Sequence, residues 1–330
     1  MCECRFDRIA ARPLLIIPSL LLDLFLWFGP HLTIPVLIET LTTELVVPIS
    51  ADPALAEQAS AIRETLAIFV DRFNLFSAFS TLPAGMPFNL IFSVFSSLLV
   101  GLPSLMAMRM PVATPWGKAL VLSLNSTQYM LLTWLGISFF GIGVGVFYHR
   151  WLIRQVDPGA DVGNAWVAWG RLLLLACIGY LSGSLILFLT GLIASGQGLV
   201  YLGLPLLFIA GVYLSFTPHA ILRYQMGVWQ ALRQSLWFVR WNFIGAFGYL
   251  VMAFAILWLS TAQIWSLPND ESWFNLLAIL GHAFVSTTIL AGSYAFFQGR
   301  RQWLLARIDE ISVRANLSRP EQQDSKEQKE

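Results

Sequence analysis

The chain has 330 residues, of which 57% are hydrophobic and only 12% are charged. Soluble domains carry about 25% charged residues, so this composition excludes an ordinary soluble domain and indicates an integral membrane protein. The formal net charge of +1 gives no basis for a polyanion-binding surface, and nucleic acid is not an expected partner. Three cysteines are too few for a disulfide framework.

Residues 1–12 form a basic N-terminus ahead of the first apolar run, residues 13–29. A signal peptide begins in the same way, but no small-residue cleavage site follows this run. We therefore interpret residues 13–29 as an uncleaved first transmembrane helix.

Asp23 lies about ten residues into this helix and is flanked by leucine on both sides. An aspartate at the centre of a bilayer costs about 3 kcal/mol, so it needs a partner, a proton or a water-filled cavity. Two interpretations stay open. Asp23 is part of a proton or cation relay, or it accepts a structural hydrogen bond from a neighbouring helix. The candidate donors for that bond are Ser123, Ser182 and Trp134.

Residues 30–118 form a long region on the outer side of the membrane. Within it, residues 53–79 repeat apolar positions at spacings of three and four, which predicts an amphipathic helix on the surface or over the mouth of the bundle. Residues 73–87 and 88–103 are near copies of each other, which we interpret as a local duplication. We predict that residues 88–107 form a re-entrant or interfacial helix on the outer face rather than a further crossing.

Residues 119–299 are predicted to form a five-helix membrane bundle, followed by a basic helix and a disordered tail in residues 300–330. With the first helix, the fold class is an all-α, polytopic membrane bundle of about six transmembrane helices plus interfacial and re-entrant helices. The predicted later spans are residues 119–147, 172–194, 199–216, 243–264 and 273–297.

Lys and Arg indicate the orientation of these spans. With six crossings and both termini cytoplasmic, most basic residues face inward, and only Arg63, Arg72, Arg109 and Lys118 remain outside. The positive-inside rule favours this arrangement. The expected location is a cell membrane of the bacterial inner-membrane type, crossed several times.

Residues 218–242 form a basic and aromatic segment between two apolar runs, and we predict one cytoplasmic amphipathic elbow helix. Membrane lipids are the expected partners of its polar face, because arginine and tryptophan suit anionic headgroups and the interface. These candidate contacts are Arg223, Arg233, Arg240, Trp229 and Trp237. Gly227, Ala231 and Ser235 form a stripe of small residues for close helix packing, internal or against a second membrane protein or copy of the chain.

The same segment resembles a membrane domain found in some glycerophosphoryl diester phosphodiesterases and in related uncharacterised bacterial multi-pass proteins. The matching positions are Pro218, Gly227, Ala231, Ser235, Arg240 and Asn242. The resemblance covers roughly 30 residues closely, and loosely residues 119–300 by the number and order of helices. It implies a membrane scaffold rather than the phosphodiesterase itself, because the chain has no room for that catalytic domain.

Known catalytic patterns do not occur in the sequence. The four histidines have no metal-binding spacing, G-x-S-x-G is absent, and the glycines of residues 141–145 lie inside a predicted span, where close helix packing explains them. We therefore expect no enzyme activity, no catalytic residues, no metal and no cofactor. The leading hypothesis is a non-enzymatic membrane scaffold or lipid-associated factor, and the alternative is a small-solute or ion transporter that uses Asp23.

Overall fold

The computed structural model describes residues 12–43, 47, 56–80, 101–198 and 202–317. This part of the chain is an all-α helical bundle, as predicted, and strands within it are limited to two short pairs. After a 3-10 turn at Pro13–Ile16, the helices are α1 (Ile17–Phe28), α2 (Pro35–Leu41), α3 (Ala56–Arg72), α4 (Leu105–Arg109), α5 (Thr127–Val156), α6 (Ala165–Gly198), α7 (Leu204–Leu214), α8 (Thr217–Tyr224), α9 (Val228–Trp241), α10 (Phe243–Leu259) and α11 (Asn275–Leu317).

Five stretches of the described chain are helical, long and apolar enough to cross a membrane. They are Thr127–Val156, Ala165–Thr190, Leu204–Tyr224, Phe243–Trp265 and Asn275–Val313. The predicted first span, Pro13–Phe28, is a shorter apolar helix, about 24 Å long against a hydrocarbon core of about 30 Å. Leu132, Phe140, Leu181 and Phe188 are largely exposed on the outside of the bundle. Such an apolar exterior is typical of a membrane protein.

Strand pairing ties the segment after α1 to the residues just before α5. Strand β1 (His31–Thr33) pairs in parallel with β4 (Val121–Ser123), and β2 (Ala113–Thr114) pairs antiparallel with β3 (Gly117–Lys118). The side chain of Asn74 accepts from the backbone N–H groups of both Leu32 and Phe76. The amphipathic helix predicted for residues 53–79 therefore ends earlier than expected, at Arg72, and a 3-10 helix follows at Leu75–Phe79.

Two described segments enter the bundle on either side of residues 81–100. The Leu75–Phe79 turn packs on α5, where a Cβ at Gly141 would lie 3.2 Å from the carbonyl oxygen of Ala78. Gly141 is roughly 20 Å along α5 from its first residue. On the other side, Gly101–Ala107 are buried between helices. Residues 88–100 of the predicted re-entrant or interfacial helix lie outside the described residues, and both alternatives therefore stay predictions.

The longest helix, α11, has 43 residues and packs against α1, α4, α5 and α10. The predicted sixth span and the basic helix after residue 300 are thus one continuous helix as far as Leu317. Near the middle of α11, the rings of Phe216, Phe238 and Phe297 lie 4.8 to 5.6 Å apart and are almost fully buried. This aromatic cluster joins α8, α9 and α11.

The elbow predicted as one helix over residues 218–242 is two helices. Gln225 has a φ of 54°, in the left-handed region, and its N–H caps α8 by donating to the carbonyl of Ala220. Helix α8 continues the fourth span and is buried from Thr217 to Leu222. Only α9 lies between two spans and combines a buried face with a polar one.

Candidate functional site

Asp23 is fully buried, and one of its two carboxylate oxygens carries all of its hydrogen bonds. Its Oδ1 accepts from the Ser104 hydroxyl at 2.5 Å and from the Met106 N–H at 2.9 Å. Ser104 also caps α4, since its Oγ accepts from the N–H of Ala107. The second carboxylate oxygen of Asp23, Oδ2, has no hydrogen-bond partner in the described part of the chain. The carboxylate therefore presents one open buried oxygen beside a satisfied one.

The donors expected for Asp23, namely Ser123, Ser182 and Trp134, were predicted wrongly. Ser104 takes this role because the segment leading into α4 runs inside the bundle beside α1. His282 is another polar residue of the bundle interior, at 2% exposed. Asn125, Gln128 and Gln263 are exposed.

Two histidines that the sequence placed in cytoplasmic segments lie in the bundle core. His149 and His219 are at most 1% exposed, on α5 and α8 respectively. Tyr294 of α11 lies between them: its hydroxyl is 2.8 Å from His149 Nδ1, and its ring centroid is 4.4 Å from that of His219. The predicted spans ended at residues 147 and 216, two or three residues before each histidine. Extending the two predicted helices by a few residues would have placed both histidines inside the bundle.

Hydrogen-bond partners indicate which ring nitrogen of each histidine donates to its neighbour. The Gly101 carbonyl can only accept, so Nε2 of His149 donates to it and Nδ1 accepts from Tyr294. By the same logic, Ser293 donates to the carbonyl of Leu290 and accepts from Nε2 of His219.

Polar side chains also continue along α11. Thr287 shares a hydrogen bond of 2.8 Å with the hydroxyl of Tyr148, at the helix face that carries Tyr294 and Gln298 at later turns. Intramembrane polar groups of this kind are rare, face the bundle interior and often mark ion pathways. Thr287, Tyr294 and Gln298 thus place polar groups along one face of α11, and Gln298 reaches Asp157 after the end of α5.

An ion pair lies where α5 ends, next to α8 and α11. Arg223 Nη2 lies 2.5 Å from Asp157 Oδ2, and the amide of Gln298 donates to the same oxygen at 2.9 Å. Burial tends to raise the pKa of Asp157, but the hydrogen bond and charge of Arg223, together with Gln298, lower it below its ordinary 3.8. Arg223 is therefore held by Asp157 and is not a free headgroup contact, contrary to expectation.

We expect the Arg223–Asp157 pair to stabilise the fold above about pH 4 and to lose this effect as the pH falls further. Because the folded-state pKa of Asp157 is depressed, protonation costs more in the folded state than in the unfolded one. A double-mutant cycle with Asp157→Asn and Arg223→Gln should give a coupling on the order of 1–2 kcal/mol at pH 7. The exposed Arg307–Glu310 pair is the control, with an expected coupling of about 0.5 kcal/mol or less. Equal couplings for the two pairs would contradict this prediction.

At the opposite end of the bundle, Arg109 joins the end of α4 to the segment that leads into α11. Its guanidinium donates to the side chains of Asp270 and Asn275 and to the carbonyls of Trp265 and Pro268, at 2.6 to 3.1 Å. Burial lowers the pKa of Arg109 from its ordinary value, and the charge of Asp270 opposes this shift. An arginine–aspartate ion pair thus lies at each end of the bundle.

Helix α9 presents the second set of predicted site residues. Arg233 and Arg240 are exposed and form no hydrogen bond or ion pair with any described residue, Trp229 is 67% exposed and Trp237 is half-buried. On the opposite face, Ala231 and Ser235 are fully buried.

The small-residue stripe is used inside the chain. The Ser235 hydroxyl donates to the Tyr213 carbonyl of α7 at 2.7 Å, and α9 packs on α7 along this face. A Cβ at Gly227 would meet nothing within 4 Å, so close packing does not require glycine there. The predicted close approach therefore applies to Ala231 and Ser235 and not to Gly227.

A groove of about 700 Å³ opens between the end of α7 and the outer face of α9. Its lining is apolar apart from one arginine: Leu214, Trp229, Leu232, Arg233 and Leu236. Among the described residues no group of three His, Cys, Asp or Glu side chains is placed to hold a metal ion.

No family model, curated protein or solved structure matches the chain. The fold and site themselves define its class: an all-α bundle with membrane-length apolar helices, a buried polar interior and a basic, aromatic helix across one end.

Proposed function

We propose that the protein is a non-enzymatic membrane scaffold that associates with anionic phospholipid through α9 at the cytoplasmic face. The observation that carries this proposal is the exposed pair Arg233 and Arg240, on a helix whose opposite face is buried in the bundle. A basic residue near a membrane surface gains about 1 kcal/mol from anionic lipid. The two arginines are therefore suited to headgroups rather than to an internal role.

Two further features support this proposal. Trp229 and Trp241 are exposed on the same helix, where indole rings favour the interface between hydrocarbon and headgroups. The resemblance of this segment to the phosphodiesterase membrane domain implies a scaffold as well. The orientation with both termini cytoplasmic, and the inner-membrane type of location, belong to the same proposal.

The test uses the purified protein in nanodiscs with and without anionic phospholipid. Because a ligand that binds the folded state stabilises it, anionic lipid should raise the Tm of the wild type. The double variant Arg233→Gln and Arg240→Gln should lose most of this rise. The control is Arg63→Gln with Arg72→Gln, which removes the same charge from the exposed face of α3. A full Tm rise in the α9 variant, equal to that of the control, would overturn the proposal.

A second candidate function is transport of a small solute or ion with Asp23 as the intramembrane site. The open Oδ2 of Asp23 favours it, because a buried acceptor without a partner is costly unless it binds a proton or a cation.

For transport, we expect Asp23→Asn to abolish flux driven by a pH gradient across reconstituted vesicles, because the amide can neither take up nor release a proton. Internal pH is measured with a dye. Asp309→Asn, an exposed site on α11, is the matched control and should keep wild-type flux. Absence of flux in the wild type, or full flux in Asp23→Asn, would rule this function out.

A further inference from the structure

We propose that the groove between α7 and α9 binds one acyl chain of an anionic glycerophospholipid, with the lipid phosphate on Arg233. This inference rests on the proposed lipid association of α9 and deepens it, since it names one site and one ligand class.

The shape and lining of the groove fit an acyl chain. Its volume of about 700 Å³ lies within the range of ligand pockets, about 300–1,000 Å³. Four of its five lining side chains are apolar, and two of them, Trp229 and Leu236, are exposed at 67% and 44%. The groove is therefore open along its length rather than closed like an internal cavity.

Charge complementarity selects the headgroup. Arg233 is the one charged residue of the lining, and it has no acidic or carbonyl partner among the described residues. A guanidinium offers parallel N–H donors that match two phosphate oxygens. An acidic headgroup would supply the counter-charge that the described part of the chain does not place there.

A partner helix fits this surface less well than a lipid. Close helix–helix contact in membranes depends on small residues, and the small residues of α9, Ala231 and Ser235, are already packed against α7. What remains exposed beside the groove is bulky, with Trp229 and Leu236. Bulky side chains around an open groove suit a flexible acyl chain.

The test is lipid retention by the full chain, measured by native mass spectrometry with phosphatidylglycerol and phosphatidylcholine of identical acyl chains. The wild type should retain one phosphatidylglycerol per chain in preference to phosphatidylcholine. Arg233→Gln should weaken phosphatidylglycerol binding on the order of tenfold, the loss of one charged hydrogen-bonded contact, and leave phosphatidylcholine unchanged. Arg154→Gln, which removes an exposed arginine of α5 outside the lining, should retain the preference.

Occupancy of the groove is tested by filling it. Leu236→Trp should reduce binding of both lipids, whereas Leu181→Trp, on the exposed face of α6, should not. A Tm within a few degrees of wild type shows that each variant is folded; if Leu236→Trp does not fold, Leu236→Phe replaces it. Unchanged binding in both Arg233→Gln and the groove-filling variant would overturn the inference. A different result separates this inference from the proposed function. If Arg233→Gln and Leu236→Trp bind lipid normally, but the Arg233→Gln and Arg240→Gln double variant loses the Tm rise, the groove is not the binding site. The proposed association of α9 with anionic phospholipid would then still hold.

Discussion

Arg109→Gln is expected to lower the free energy of unfolding by about 3 kcal/mol, because removing one member of a largely buried ion pair leaves the other uncompensated. The Arg109 side chain is only 12% exposed, and its four hydrogen bonds join α4 to the loop before α11. Glutamine is shorter and neutral, so Asp270 and Asn275 lose their donor together with two carbonyls. Thermal or denaturant unfolding followed by tryptophan fluorescence measures the change.

Lys118→Gln is the matched control for Arg109→Gln. Lys118 is exposed on the same side of the bundle, and substitutions at such surface sites usually change stability by no more than about 0.5 kcal/mol. Arg109→Lys should recover only part of the loss, because an ammonium cannot reproduce the planar set of donors. If Arg109→Gln is as stable as Lys118→Gln, the Arg109–Asp270 ion pair does not hold α4 to the loop before α11.

Gly281→Ala is expected to destabilise the protein by about 1–3 kcal/mol through overpacking. A Cβ at position 281 would lie 2.3 Å from Cη2 and 2.6 Å from Cζ3 of Trp265, whose backbone carbonyl accepts from Arg109. The indole of Trp265, the last residue of the π-helix Ser260–Trp265, would have to move away from α11. This movement would also disturb the Trp265 carbonyl that accepts from Arg109.

Gly299→Ala, on the same helix, is the control for Gly281→Ala. A Cβ there would meet nothing within 4 Å, so the change should be neutral or should add up to about 1 kcal/mol from helix propensity. The shift of Tm between the two variants measures the effect. If both alanine variants have the Tm of the wild type, the contact between Gly281 and Trp265 does not constrain α11.

The approximate positions of the long apolar helices were predictable, but their ends were not. Hydrophobic runs indicate which residues avoid water, whereas a helix ends where capping and packing allow. His149 and His219 lie just beyond the predicted span ends and were assigned to cytoplasmic segments for that reason. The break at Gln225 has no proline or glycine at the residue itself, and so the elbow was predicted as one helix.

At Asp23, too, one property was predictable from the sequence and another was not. Its position in an apolar run was enough to predict a buried polar group that needs a partner, because an unpaired carboxylate in hydrocarbon is costly. Its actual donor, Ser104, is 81 residues away in a segment expected at the outer surface. Likewise, the acidic partner of Arg223 is in the loop after α5, which local pattern could not show.

By itself, the sequence determined that this is an all-α protein with membrane-length apolar helices, and that α9 is basic and aromatic. These properties depend on composition and short-range periodicity, which local sequence contains. Only the tertiary structure decided that Asp23 meets Ser104, that Tyr294 lies between two histidines, and that Arg223 is paired with Asp157 while Arg233 has no partner among the described residues. Such contacts join residues distant in sequence, and their energies depend on which helix faces pack together and on how deeply each segment enters the bundle.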